Sequence, residues 1–203
     1  MGSLSNLLLH LWQQLILCIR QDYLFRELLL LNRKLPNNVR FVAKRRATIW
    51  GGASLLSVLL SAMEDLVKHA DDWNWKWDYV INLSESDFPL KTTAQLEKFL
   101  SLSNGKNFIK SHGRDVQKFI LKQGLDKTFL ECENRMWRIG DRSLPRGIVI
   151  DGGSDWVALH REFVHYIITT NDTLVEGLKT VFKYTLLPAE NCGYMTNCST
   201  RRA

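Results

Sequence analysis

Trp77-Asp-Tyr-Val-Ile-Asn-Leu-Ser-Glu-Ser-Asp87-Phe-Pro89 reads as a strand that runs out into a polar loop. Trp77 to Leu83 is rich in aromatic and β-branched residues, and the Ser-Glu-Ser-Asp that follows, closed by Phe88-Pro89, supplies turn chemistry. Downstream, Thr92 or Thr93 can cap a helix reaching Leu102, with Glu97 in its first turn or two, and Phe108-Ile109 makes a second short strand. Upstream, Ser54 to His69 carries Leu55, Val58, Leu59, Ala62 and Leu66 at helical spacing, starts after Gly51-Gly52, and sets Glu64 and Lys68 one turn apart on an exposed face.

The same alternation continues outward. Tyr23 to Lys34 places Leu24, Leu28 and Leu31 on one helical face and stops at Pro36 and Asn37-Asn38; Val39 to Val42 reads as a short strand. Gly113 to Arg142 is charged and compatible with helix in parts. Ile148 to Ile150 predicts a third strand feeding a Gly-rich turn, Asp151 to Trp156, and helices are expected over Glu162 to Thr169 and Leu174 to Tyr184. Strands alternating with helices imply an α/β sheet covered on both faces, with ligand groups gathered where strands end in loops.

Composition limits the function classes. A chain of 203 residues with 45% hydrophobic and 24% charged residues suits one globular domain and excludes disorder and a polytopic membrane protein. The net charge of +6 suits a phosphate-bearing or acidic partner without requiring one. A nucleic-acid module would need an organised basic stripe, which is absent from the sequence. Leu4 to Ile19 is apolar but shorter than the ~20 residues of a bilayer span, and no basic residue precedes it as a signal peptide would require. It reads as a buried or partner-facing helix. Cys18, Cys132, Cys192 and Cys198 have no metal-ligand spacing, so no metal site is expected. Asn-x-Ser/Thr triplets occur at Asn82, Asn171 and Asn197, the first inside the central strand, where a core role outweighs glycosylation.

Four loops hold the residues able to carry chemistry: residues 50–52, 84–87, 151–156 and 188–190. Glu85 and Asp87 offer two carboxylates at a strand end, which serve either a sugar or metal site or the capping of a turn before Phe88-Pro89. Asp151-Gly-Gly-Ser-Asp155-Trp156 combines backbone freedom, a carboxylate and an aromatic plane; it is either a sugar or peptide site or a tight turn with a core Trp. Trp73, Trp75 and Trp77 alternate and are read as packing. Lys44-Arg45-Arg46 and Lys110-Ser-His112-Gly-Arg114 either meet a diphosphate or acidic peptide or lie in solvated loops.

Several strings go further than spacing does. Ala47-Thr-Ile-Trp50-Gly-Gly-Ala-Ser-Leu-Leu56, Trp77-Asp-Tyr…Asp87-Phe-Pro, Lys110-Ser-His-Gly-Arg114-Asp, Lys122-Gln-Gly-Leu-Asp126, Met136-Trp-Arg, Asp151-Gly-Gly-Ser-Asp-Trp156 and Thr185-Leu-Leu-Pro-Ala-Glu190 closely resemble the protein O-xylosyltransferases. They follow that family's order with nearly its spacing, from about Tyr23 to Glu190. The Trp-Asp-Tyr…Asp-Phe-Pro block is shared with branching N-acetylglucosaminyltransferases, whereas the Ser-His-Gly-Arg, Lys-Gln-Gly-Leu-Asp and Gly-Gly-Ser-Asp-Trp blocks point to the xylosyl branch.

The resemblance implies a GT-A-like, Rossmann-like glycosyltransferase sheet, incomplete at both ends. It implies inverting transfer of xylose from UDP-xylose to a proteoglycan core-protein serine in a Gly-rich context, the step that starts heparan sulfate and chondroitin sulfate chains. Glu190 matches the catalytic base. Asp155 and Trp156 match the segment on the acceptor serine and the sugar, and Trp50 matches a cleft-lining Trp. Glu85 and Asp87 stand where other GT-A enzymes hold metal-binding carboxylates and are assigned to the donor side. No cofactor besides the donor is expected, and no metal. Family members are type II Golgi membrane proteins with a lumenal catalytic domain.

The likeness stops at both ends. Residues 1–22 form a divergent apolar segment, with Leu17-Cys18-Ile19-Arg20 in place of an acidic strand end that helps hold the donor; residues 191–203 diverge before the basic pair that holds the diphosphate. Residues 23–190 are therefore expected to be part of a xylosyltransferase domain, weak or inactive as this chain, with any membrane attachment in an N-terminal anchor that is not recognisable here. The competing expectations are a branching N-acetylglucosaminyltransferase and a noncatalytic product that binds acceptor proteins.

Overall fold

The computed structural model describes residues 8–12, 30, 46–84, 87–103, 105–111, 124–143 and 153–191. The expected strands at 39–42 and 148–150, all of the helix at 23–34 except the helical Leu30, and Glu85 and Asp151 lie outside them.

The longest helix, α1 (Ala53–His69), buries Ala53, Leu56, Leu59, Ala62, Met63 and Leu66, a stripe recurring every three or four residues, and carries Lys68 in its last turn, a cation suited to a helix C-terminus. The Glu64–Lys68 pair forms on its outer face. The chain then turns through Trp75 and Trp77, both buried, with Trp73 and Trp75 in edge contact at 5.1 Å; the tryptophan run is packing, as its spacing suggested. Strand β2 (Tyr79–Ser84) follows, then α2 (Thr93–Leu102). Thr92 closes a capping box on α2: its hydroxyl accepts from Gln95 N–H, and the Gln95 side chain accepts from Thr92 N–H. β3 is Phe108–Ser111 and β6 is Gly153–His160, leading directly into α3 (Arg161–Thr169) and α4 (Thr173–Lys183), capped by Asp172 on Leu174 N–H at 2.8 Å.

The main sheet has the order β1-β2-β6-β3, where β1 is Leu8–Trp12. β1 runs parallel to β2, whereas β2 and β3 both run antiparallel to β6. The α/β class expected from the sequence is therefore observed, but one parallel and two antiparallel pairings do not by themselves define a Rossmann sheet. The core lies between this sheet and α1, α3 and α4, with Val80, Leu159, Val164, Leu178 and Phe182 nearly inaccessible to solvent.

Three expectations are corrected. The apolar N-terminal stretch contributes a strand rather than a helix at residues 8–12, paired from Leu8↔Val80 to Trp12↔Ser84. A short apolar run carries no period that separates helix from strand, and the free edge of β2 decides. The Gly-rich segment is not a tight turn from Gly153 onward but the first half of β6, and Trp156 is half exposed rather than in the core. The charged middle contains a hairpin, β4 (Lys127–Cys132) and β5 (Arg135–Asp141), joined by Glu133 and Asn134. Both have positive φ, 51° and 58°, as a primed turn requires; without Gly, this turn leaves only a faint trace in the sequence.

Candidate functional site

Asn82 shapes the sheet end on which the candidate residues sit. Backbone pairing of β2 with β6 runs from Tyr79↔His160 to Ile81↔Ala158. Beyond it, the Asn82 side chain continues the ladder: Oδ1 accepts from Val157 N–H at 2.7 Å and Nδ2 donates to Asp155 O at 2.5 Å. Satisfied on both sides, Asn82 is a structural residue of the central strand, in line with its sequence reading. It also holds the backbone of Asp155 and Val157, and so sets the start of Trp156.

Asp87, Asp155 and Trp156 come together at this end. Asp87 folds back on β2, accepting from Ser84 N–H at 2.5 Å, and its Oδ2 also accepts the Trp156 indole N–H at 2.7 Å. Ser84 N–H and then the indole hold the Asp87 carboxyl below the usual carboxylate range. Asp155 moves the other way. Burial is the main cause, the nearby Asp87 charge adds to it, and the backbone N–H groups of Asp155 and Trp156 oppose it. The two acids on this edge are thus shifted in opposite directions, Asp87 down and Asp155 up.

Trp50 belongs to a second cluster. Residues 49–52 turn tightly into α1, with Gly52 N–H on Ile49 O at 3.0 Å and Gly51 at φ 75°, a left-handed conformation that favours glycine. The Trp50 ring is 77% exposed. Gly51 O accepts from Leu187 N–H at 2.9 Å, which ties this turn to the residues leading into α5 (Pro188–Asn191). α5 begins with the buried Pro188, whose ring suits a first helical position, and includes Glu190. It lies against both β6 and α1. The backbone thereby sets the Glu190 helix beside the strand of Asp155 and Trp156 and beside the helix that Trp50 introduces.

Two residues absent from the sequence reading organise this second cluster. Gly52 is the N-cap of α1 but has no side chain to cap with. Glu131 of β4 supplies the carboxylate instead, accepting from Ser54 N–H at 2.8 Å and Ser54 Oγ at 2.5 Å. Arg142, just after β5, donates to Leu125 O, Val181 O, Tyr184 O and Thr185 Oγ1 at 2.7–3.1 Å, satisfying carbonyls at the end of α4. Neither contact could be read locally, since the partners lie 77 residues from Glu131 and 17 to 43 residues from Arg142.

Among the described residues no group of three His, Cys, Asp or Glu is placed to hold a metal, and no helix is long and apolar enough to cross a membrane.

A mixed α/β domain with acids and exposed aromatics at one sheet end suits sugar binding, and comparison with known proteins makes the class specific. The family model of the core-2/I-branching enzymes matches residues 21–194, and the chain belongs to that family. Within it, the chain is similar to xylosyltransferases: 60% identical over 174 residues to xylosyltransferase oxt of Drosophila melanogaster, 53% over 172 residues to xylosyltransferase 1 of Homo sapiens, and 52% over 172 residues to xylosyltransferase 2 of Canis lupus familiaris. Each match covers 85% of this chain and 18–19% of the relative, so the chain spans about a fifth of the length of these relatives.

Proposed function

We propose that this chain carries the acceptor and catalytic-base part of a protein xylosyltransferase, a GT-A-like enzyme of the Golgi lumen that moves xylose from UDP-xylose to a serine in a Gly-rich stretch of a proteoglycan core protein. The observation that carries the reading is the position of α5: the helix that includes Glu190 lies against both β6 and α1 in a chain 52–60% identical to xylosyltransferases.

In the proposed reaction the Glu190 carboxylate takes the proton of the acceptor serine as its Oγ attacks the anomeric carbon of xylose. The bond from that carbon to the diphosphate oxygen breaks on the opposite face, its electron pair leaving with UDP, so configuration inverts in one displacement. Trp50 and Trp156 offer exposed aromatic planes for the apolar faces of sugar and peptide. Asp155, on the half-buried start of β6, is available to hydrogen-bond the acceptor, and a glycine-flanked serine has the least bulk to bring past it. Asp87 and Glu85 are assigned to the donor side, although the Asp87 carboxylate is already engaged by Ser84 and Trp156. No cofactor beyond UDP-xylose is proposed, by resemblance to the family.

The test is incubation of the purified chain with UDP-xylose and a Gly-Ser-Gly peptide, read as the mass gain of one pentose. Glu190→Gln is expected to lower the rate by about 10²- to 10⁴-fold, the usual contribution of a general base, with an unchanged melting temperature. Transfer from UDP-N-acetylglucosamine instead would assign the chain to the branching enzymes. Peptide binding without binding of either donor would assign it a noncatalytic role.

A further inference from the structure

Among the described residues, two sets of hydrogen bonds join the β4–β5 hairpin to the rest of the domain, and both lead to the same short segment. At one, Glu131 Oε2 and Oε1 accept from the N–H and hydroxyl of Ser54, and the space they occupy exists because position 52 is glycine: a Cβ there would lie 2.7 Å from Glu131 Oε2 and 2.8 Å from its Cδ. Gly52 follows Gly51, whose carbonyl accepts from Leu187 N–H. At the other, Phe129 N–H donates to Tyr184 O at 3.0 Å, and Arg142 binds Tyr184 O and Thr185 Oγ1. Residues 185–187 are thus bracketed, by Arg142 at Thr185 and by the Gly51 turn at Leu187. Leu187, at φ 53°, is held in a conformation that a leucine adopts only under constraint. The next residues are α5 and Glu190.

We propose that Glu131 is a positioning residue for Glu190: by holding the start of α1 it fixes the Gly51 turn, and through the Gly51–Leu187 hydrogen bond it sets where α5 begins. The inference rests on the assignment of Glu190 as catalytic base, but the mechanical link stands without it. A carboxylate on a helix N-terminus is stabilised by the free N–H groups and the dipole there, so it makes a stiff joint between two elements far apart in sequence. Small displacements matter at this place, since moving a reacting group by about 1 Å costs about 10²-fold in rate.

The experiment is hydrogen–deuterium exchange on the intact chain, read peptide by peptide, together with the xylose-transfer assay. Glu131→Ala is expected to raise exchange across residues 185–191 by about tenfold while α3 and the first two turns of α4 stay within about twofold of wild type. Glu131→Gln keeps an acceptor for Ser54 N–H and is expected to restore exchange to within about threefold of wild type. Glu131→Asp, which keeps the charge but is one methylene short of Ser54, is expected to act like Glu131→Ala, and it decides the matter if Glu131→Ala fails to melt cooperatively. In the transfer assay, kcat is expected to fall about 10- to 100-fold in Glu131→Ala with the peptide KM within about threefold. Unchanged exchange at 185–191, a uniform rise over the whole chain in every variant, or a fall in kcat that Glu131→Gln does not relieve would overturn the proposal. Absence of transfer by the wild-type chain would match the weak or absent activity expected of this part by itself, and the exchange data would still decide whether Glu131 holds α5.

Discussion

The indole N–H of Trp156 donates to Oδ2 of Asp87 at 2.7 Å, joining β6 to the loop after β2 at the sheet end that carries the candidate acceptor residues. The ring is half exposed, so packing alone does not hold it, and the carboxylate is its visible anchor.

Asp87→Ala is therefore expected to free the Trp156 ring without lowering the melting temperature appreciably, because the bond lies at the surface. In the wild type the anchor depends on the ionised carboxylate. Ser84 N–H and the indole depress the Asp87 pKa, so this stabilisation is complete above the ordinary carboxylate range and is lost only as pH falls through the depressed value. The Trp156 indole proton resonance, assigned by its loss in Trp156→Phe, should hold its position down to pH about 4 and move below it, whereas in Asp87→Ala it should be displaced at every pH.

Asp155 predicts the opposite dependence. Burial and the Asp87 charge raise its pKa above the unfolded value, so its contribution to stability is fully present below the unfolded pKa and is lost as pH rises through the folded one. Asp155→Asn removes the charge that burial disfavours. The variant should melt higher than wild type at neutral pH, and the difference should shrink as pH falls toward about 4; thermal scans over that range read it. Under the proposed function the same substitution should raise the peptide KM.

Arg142 should be costly to replace. Its guanidinium satisfies three carbonyls and a hydroxyl from two parts of the chain. Arg142→Met takes the side-chain donor from Leu125 O and removes one of several donors at Val181 O and Tyr184 O, which keep Thr185 Oγ1 and Phe129 N–H; four charge-assisted bonds are lost, with an expected cost of about 2–3 kcal/mol. For a domain of this size that is a fall of about 5–10 °C in melting temperature. Arg142→Lys should recover little, since one ammonium cannot span the fork of acceptors.

The two glycosylation triplets within the described residues should differ. Asn82 Nδ2 is engaged with Asp155 O inside the sheet, whereas Asn171 is exposed just before α4. Expression in a glycosylating host should modify Asn171 and leave Asn82 bare in the folded chain, as peptide mass mapping would reveal. Asn82→Ala should cost about 1–2 kcal/mol, by leaving Val157 N–H and Asp155 O unpaired.

Much of the local structure was legible in the amino-acid order. The leucine stripe of α1, the Thr92 cap of α2, the aromatic and β-branched run of β2 and the periods of α3 and α4 each draw on interactions within one or two turns, or between neighbours along a strand. The family blocks were legible too, because each is a short string of specific side chains, and all of them fall within residues 21–194, which the branching-enzyme family model matches.

Folding in three dimensions decided the rest. Whether residues 8–12 became helix or strand depended on the edge that β2 offered, and the β4–β5 hairpin depended on two non-glycine residues accepting positive φ. The cap of α1 came from a strand 77 residues away, and the anchor of Trp156 from a loop 69 residues away. Such pairs leave no periodic mark because each partner, read alone, is an ordinary Glu, Asp or Arg. Only chain closure, with the burial of the apolar core driving it, brings them within hydrogen-bonding distance.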